Sequence, residues 1–383
     1  MSVTAPAGFR ASGVAAGLKA SGALDLALVV NDGPSAAAAA VFTSNRAKAN
    51  PILWSEQAIA DGSARAVLLN SGGANCFTGP QGFQTTHASA EAVAAALGVG
   101  AIDVLVCSTG LIGEQLDREK VLQGVVAAVA ALGPDGGQDA ARAIMTTDTV
   151  PKTAVARRDG WTVGGMAKGA GMLAPGLATM LVVLTTDAVV DAAGLDSALR
   201  CATAATFDRL DSDGCMSTND QVSLLASGAS GVAPAAQELA AALLEVCDSL
   251  AAQLQADAEG ASHAIDIEVT GAASVADAVE VGRSVARNNL FKAAIFGNDP
   301  NWGRVLAAIG TTSADFDPYA VDVWMNGVRV CSAGGPDRPR EEVDLSPRAT
   351  HVLIELKNGP HTATVRTNDL THDYVHENSA YSS

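Results

Sequence analysis

Short apolar runs alternate with alanine-rich stretches along almost the whole chain of 383 residues. Residues 66–70, 103–107 and 181–185 are short and apolar enough to be strands buried on both faces. Residues 88–97 and 120–132 have helical spacing, and each stretch is followed by a glycine that would end a helix. Because strands and helices alternate, the sequence predicts an α/β fold.

The last third of the chain predicts a more antiparallel α+β unit. Upstream of it, Pro234 precedes leucines and valines at helical spacing up to residue 254, which predicts a long amphipathic helix. Residues 265–269 alternate apolar and acidic side chains, as a strand with one exposed face does. Asn326-Gly327 and Asn358-Gly359 both lie beside β-rich stretches and each predicts a type I′ hairpin.

The amino-acid composition indicates which classes of partner this protein is not expected to bind. Lys and Arg number 24 against 41 Asp and Glu, so the formal charge is 24 − 41 = −17, and 48% of the residues are hydrophobic. The hydrophobic content predicts a globular protein with a large core. The negative charge disfavours nucleic acid and anionic membranes as partners, because both bind through clustered lysine and arginine. The N-terminus has no basic region of the kind that begins an export signal, so we expect a cytoplasmic protein.

Common cofactor and metal signatures are lacking in the sequence. The six cysteines form no C-x-x-C pair and predict reduced, mostly buried thiols. No phosphate-binding P-loop pattern occurs. Residues 169–174 fit G-x-G-x-x-A, but Pro175-Gly176 follows where a dinucleotide fold needs a helix to begin. We therefore expect neither a metal nor a cofactor.

The segment 164–184 is the strongest candidate for chemistry. Its glycines permit unusual backbone geometry, it contains Lys168, and it leads Thr179 to the start of an apolar strand. Such a loop suits self-cleavage, in which the Thr179 hydroxyl attacks the carbonyl of Ala178. The new α-amino group of Thr179 would then serve as general base for the same hydroxyl. From these residues alone, a glycine-rich loop that simply enters a core strand remains the alternative.

The segment 168–181, KGAGMLAPGLATML, resembles the cleavage segment of the ornithine acetyltransferase family, the glutamate N-acetyltransferases of the cyclic arginine pathway. Further blocks agree in the same order along the chain. These blocks are AVFTSN at 40–45, NSGGAN at 70–75, CSTGLIG at 107–113, IMTTDT at 144–149, SDGCMSTN at 212–219, DAEGA at 257–261, NDPNWGR at 298–304 and ENSAYSS at 377–383.

The resemblance implies cleavage between Ala178 and Thr179 into an α chain, 1–178, and a β chain, 179–383. It also implies an αββα sandwich similar to N-terminal nucleophile hydrolases, with a C-terminal α+β portion from about residue 275. Members of the family assemble into heterotetramers of two α and two β chains, and we expect the same here.

The family's functional residues map onto this sequence one by one. Thr179 is implied as the nucleophile, with Thr109 and Gly110 as the oxyanion hole. The implied substrate-binding residues are Thr146, Lys168, Thr179, Glu259, Asn378 and Ser383. Without the resemblance, Glu259 is better explained as an acid at a helix end, and Asn378 and Ser383 as tail residues.

The implied reaction is a ping-pong transfer. N-acetylornithine acetylates Thr179, ornithine leaves, and glutamate takes the acetyl group to become N-acetylglutamate. Some members of the family also use acetyl-CoA, and paralogues with altered acceptors exist; the sequence leaves both points open. Two other interpretations also stay open: an N-terminal-nucleophile amidohydrolase or aminopeptidase, and an uncleaved amino-acid-binding protein.

Replacing the nucleophile tests the self-cleavage hypothesis. The unmodified protein should give two masses under denaturing conditions, one for each chain. Thr179→Ala should give a single full-length mass and no activity, because it removes the attacking hydroxyl. A processed or active Thr179→Ala protein would overturn the assignment.

Overall fold

A computed structural model of the chain describes residues 2–174 and 180–380. Within these residues the strands are β1 (Phe9–Val14), β2 (Leu26–Asn31), β3 (Ala38–Phe42), β4 (Ala66–Asn70), β5 (Val104–Ser108), β6 (Lys152–Arg158), β7 (Trp161–Lys168), β8 (Leu181–Thr186), β9 (Gln221–Ala226), β10 (Ala264–Ala272), β11 (Asp322–Met325), β12 (Val328–Ser332), β13 (Gly335–Pro336), β14 (Ala349–Glu355) and β15 (His361–Asn368).

The α-helices of the same residues fall between these strands and after the last one. They are α1 (Asn50–Ala58), α2 (Gly79–Leu97), α3 (Arg118–Ala130), α4 (Gly137–Ala143), α5 (Ala192–Ala205), α6 (Ala236–Ala256), α7 (Val275–Ala286), α8 (Asn289–Phe296), α9 (Trp302–Ile309) and α10 (His372–Ala380).

Two sheets and their helices form a four-layer sandwich. The first sheet has the order β1-β2-β4-β5 and the second the order β3-β9-β8-β7-β6. Alternate residues of β8 face different cores: Leu181 and Val183 join the core of the first sheet, whereas Val182 and Leu184 join the core under α5 and α6. Helices α1 to α3 pack on the first sheet. These layers confirm the α/β fold and the αββα sandwich.

The long helix α6 covers the second sheet. Leu239, Leu243, Val246 and Leu250 are all buried on its inner face, as the spacing predicts. By length and composition alone this helix could cross a membrane. Its buried stripe against β6 and β7 instead matches the core helix of a globular domain.

The C-terminal portion is built on a third, mixed sheet with the order β13-β12-β11-β14-β10-β15. This sheet takes in β10, so its first strand begins at Ala264, before the expected position of about 275. Helices α7 to α9 share its core. Alternate residues Ile265, Ile267 and Val269 are buried, which confirms the one-faced strand.

The two Asn-Gly pairs have different outcomes. Asn326-Gly327 joins the antiparallel pair β11 and β12, as predicted, and both residues have positive φ, 45° and 83°. The hairpin predicted at Asn358-Gly359 is wrong, because β10 lies between β14 and β15. The connection instead crosses the end of β10, where the amide of Asn358 donates to the carbonyl of Gly271 (2.6 Å).

None of the six cysteines forms a disulfide. Cys76, Cys107, Cys247 and Cys331 are buried, as expected for most of them, and Cys201 and Cys215 are exposed.

Truncation of one leucine on each face of α6 tests its packing. Leu250 is fully buried, and a Cβ built at Gly165 of β7 would lie 3.0 Å from Leu250 Cδ1. Leu250→Ala should lower the free energy of unfolding by about 2–5 kcal/mol, because it leaves a cavity against the sheet. The matched control is Leu244→Ala on the outer face, where 42% of the residue is exposed and the loss should be about 0.5 kcal/mol or less. Equal losses in denaturant unfolding would contradict this packing.

Candidate active site

The loop after β5 presents Thr109 and Gly110 at one end of the sandwich. The amide of Thr109 donates to the carbonyl of Asn70 (3.0 Å), which fixes the loop to the end of β4. Asn219, just before β9, donates from its side-chain amide to the carbonyls of Ser108 (2.9 Å) and Ala74 (2.6 Å). The second sheet thereby holds the loop of the first.

Gly110 needs to be glycine for two reasons. Its φ is +126°, a conformation that side-chain-bearing residues rarely adopt. A Cβ at this position would also lie 2.9 Å from the backbone nitrogen of Gly73. The backbone of Gly110 is therefore set by a close approach of two loops.

Lys168, the last residue of β7, reaches into this loop from the second sheet. Its Nζ donates to Thr109 Oγ1 (3.3 Å), and only 2% of the residue is exposed. Burial lowers the pKa of Lys168, and Lys152 lowers it further, whereas Asp148, Glu259 and Asp220 raise it. The Lys168 side-chain nitrogen thus lies directly beside the Thr109 hydroxyl.

Asp148 lies between the segments that carry Thr146 and Lys168. Its Oδ1 accepts from the Lys152 ammonium (2.6 Å) and from the Gly169 amide (2.7 Å), and its Oδ2 accepts from the Thr146 amide (3.0 Å). Burial alone would raise the pKa of Asp148, but the charges of Lys168 and Lys152 and the hydrogen bonds from Gly169 and Lys152 lower it to about 2. Asp148 is therefore a carboxylate at any ordinary pH.

Lys152 is fully buried and is bound by two carboxylates. Its second partner is Asp257 Oδ2 (2.6 Å), just after α6. The Thr149 hydroxyl and amide also donate to Asp257. This buried charge is therefore paired, as a lysine in an interior must be.

Glu259 closes the opposite side of the site. Its Oε1 accepts from the Thr147 hydroxyl (2.6 Å), and its Oε2 accepts from the Asn378 side-chain amide of α10 (3.0 Å). A Cβ at Gly171 would lie 2.4 Å from Glu259 Oε2, so only glycine lets the carboxylate approach that loop.

Residues of the Thr109 loop, Lys168 and Glu259 line one cavity of about 340 Å³. Its lining includes every described residue that the sequence predicted for the site: Thr109, Gly110, Thr146, Lys168, Glu259 and Asn378. Ala178, Thr179 and Ser383 lie outside the described residues. A larger cavity of about 770 Å³ shares Thr147 and Glu259 with the first and has acidic Asp373 and Glu377 in its wall.

The chain re-enters the described structure beside the same cavity. Leu181, the first residue of β8, pairs with Lys168. The amide of Met180 donates to Asp220 Oδ1 (3.0 Å). Burial raises the pKa of Asp220 well above its usual range, and its Oδ2 has no hydrogen-bond partner in the part of the chain that the structure describes.

Sequence reasoning missed Asp148, Lys152, Thr147 and Asn219 as parts of the site. Asp148 and Thr147 belong to the block IMTTDT, and Asn219 ends the block SDGCMSTN, so both blocks marked the right segments. No local signal shows that Lys152 is buried, and one of its two partners, Asp257, is 105 positions away.

The sequence matches the ArgJ family over residues 10–383. The arginine biosynthesis bifunctional protein ArgJ of Streptomyces avermitilis is 64% identical over 383 residues, and the match covers all of both chains. The protein of the same name from Mycolicibacterium paratuberculosis is 60% identical, with 100% of this chain and 96% of that protein covered.

Two solved structures are also similar. The ornithine acetyltransferase of Mycobacterium tuberculosis in complex with ornithine is 60% identical, covers 47% of this chain and 96% of its own, and has a TM-score of 0.45. The ArgJ protein of Bacillus halodurans is 33% identical, covers 51% of this chain and 97% of its own, and has a TM-score of 0.49.

Proposed function

The chain belongs to the ArgJ family and is an enzyme of arginine biosynthesis, and we propose that it transfers the acetyl group of N-acetylornithine to glutamate. The observation that carries this proposal is the cavity in which Thr109, Lys168 and Glu259 meet. A polar donor, a cation and an anion around one small space match a zwitterionic amino acid with an acyl group to transfer.

The nucleophile of the proposed reaction is Thr179. Support comes from the register of β8, since Leu181 lies opposite Lys168, only two positions after Thr179. The Thr179 oxygen attacks the acetyl carbonyl carbon, and the Thr109 hydroxyl and Gly110 amide stabilise the oxyanion. Each such donor is worth roughly 3 to 4 kcal/mol in related sites.

The proposed transfer proceeds in two balanced halves. In the first, the C–N bond of N-acetylornithine breaks, and the Thr179 hydroxyl proton passes through its α-amino group to the departing amine of ornithine. In the second, the amine of glutamate attacks the threonine ester. The Thr179 oxygen leaves and takes up, through its α-amino group, the proton that the attacking amine loses, which gives N-acetylglutamate and free enzyme.

Lys168 and Glu259, on two sides of the cavity, indicate how each substrate is oriented. Lys168 contacts Thr109, so it suits the α-carboxylate, which is attached to the carbon that carries the reacting nitrogen. Glu259 lies at the Asn378 side and suits the side-chain ammonium of ornithine. The α-carboxylate is common to both substrates, whereas the side-chain end differs in charge.

Self-cleavage before Thr179 would leave two chains that remain in one folded molecule. Strands β3, β6 and β7 of the second sheet precede the cleavage point, and β8 and β9 follow it. Because strands from both sides of the cleavage point are hydrogen-bonded to one another in this sheet, both chains would stay together.

The family also supports an assembly of two α and two β chains in the cytoplasm. No nucleic acid or membrane enters the reaction. Acetyl-CoA as a second acetyl donor for glutamate belongs to the same proposal, since the relatives are named bifunctional.

An assay of acetyl transfer tests the proposal and separates it from hydrolysis. With N-acetylornithine as donor, release of ornithine should require glutamate and should match formation of N-acetylglutamate. Acetate release that is indifferent to glutamate would favour a hydrolase. Binding of amino acids by an uncut chain without turnover would favour the binding-protein alternative.

Glu259→Gln tests the role of the anionic wall. The change keeps an oxygen for Thr147 or Asn378 but removes the charge. We expect KM for N-acetylornithine to rise about 10- to 100-fold, the loss expected for one charged hydrogen bond, while KM for glutamate does not rise.

The matched control is Glu377→Gln, which removes a carboxylate that lines only the larger cavity. It should leave both KM values unchanged. Equal weakening of both substrates in Glu259→Gln would show that Glu259 does not recognise the ornithine ammonium.

A further inference from the structure

Asp148 carries no role among the residues that the family resemblance brought to this site, yet three donors converge on it. We propose that Asp148 is a positioning residue: it holds Thr146 and the Lys168–Gly169 turn in one arrangement and supplies the counter-charge for the Lys168 ammonium. This inference rests on the proposed function, in which Lys168 meets the substrate carboxylate.

The geometry ties three segments to one carboxylate. The Thr146 amide comes from the loop before β6, the Lys152 ammonium from the start of β6, and the Gly169 amide from the residue that follows Lys168. The Asp148 side chain is fully buried, so water does not compete for these bonds. Loss of the Gly169 bond would free the backbone that aims Lys168 at Thr109.

The charges around Lys168 make Asp148 its main counter-ion. Asp148, Glu259 and Asp220 attract the ammonium, and among these Asp148 acts most strongly. Lys152 and Lys19 both repel the ammonium. Asp220 is a weak counter-ion, because burial raises its pKa and favours the neutral acid.

The two buried lysines share Asp148 and therefore affect Lys168 in opposite ways. Loss of the Asp148 charge lowers the pKa of Lys168, so the ammonium loses its proton at a lower pH. Loss of the Lys152 charge raises the pKa of Lys168, so the ammonium survives to a higher pH. A residue that served only to stabilise the fold would not produce opposite shifts.

The test is the pH dependence of KM for N-acetylornithine at saturating glutamate. The acetylated nitrogen of this substrate does not titrate, and its side-chain ammonium titrates in the same way with every variant, so a difference between variants reports on the protein. In Asp148→Asn the pH at which KM begins to rise should move down by about 1 to 3 units. In Lys152→Met the pH at which KM begins to rise should move up. KM for glutamate should follow both shifts, because both substrates carry the α-carboxylate.

The matched control is Asp257→Asn. It removes the other carboxylate of Lys152 but no hydrogen bond to Thr146 or Gly169. The pH at which KM begins to rise should therefore stay at its wild-type value. Folding of each variant is checked by its thermal unfolding and by its mass under denaturing conditions.

The outcomes separate the inference from the proposed function. If wild type transfers no acetyl group, the proposed function fails. The inference alone is wrong if wild type is active but the pH at which KM begins to rise does not move in Asp148→Asn. It is also wrong if this pH moves in the same direction in Asp148→Asn and Lys152→Met. If Asp148→Asn does not fold, the upward shift in Lys152→Met supports the inference, and its absence overturns it.

Discussion

The antiparallel pairing of β7 with β8 is the constraint on which the rest of the site depends. It sets Lys168 opposite Leu181, so the last residue before the loop and the first strand residue after it lie side by side. Lys168 crosses to Thr109 of the first sheet, which joins the two sheets at that end. The same pairing would hold the two proposed chains together after cleavage at Thr179.

Buried charge is the second feature that organises this end of the molecule. The chain carries a formal charge of −17, yet it buries Lys152 and Lys168. Burying an ammonium costs several kcal/mol unless it is paired and hydrogen-bonded. Asp148 and Asp257 satisfy Lys152, and the charge of Asp148 also acts on Lys168, which lines the cavity, so one carboxylate interacts with both buried lysines.

The sequence predicted much of the fold because its signals there are local. The strand Ala66–Asn70, the helix α6 and the hairpin at Asn326-Gly327 follow from periodicity or turn chemistry within a few residues. The hairpin at Asn358-Gly359 failed because the insertion of β10 is a long-range event that no turn signal records. The site residues were assigned by resemblance, since Asn378 alone is better explained as a tail residue. Asp148 was missed because its role depends on Gly169 and Lys152, which only the folded chain brings to it.

In the proposed reaction, Thr179 carries the acetyl group between donor and acceptor. The most direct measurement is the mass of the chain that begins at Thr179 after brief incubation with N-acetylornithine and no glutamate, followed by fragmentation. We expect an increase by one acetyl group, located on the Thr179 side chain, that disappears when glutamate is added. A chain without added mass, or an acetyl group on another residue, would contradict it.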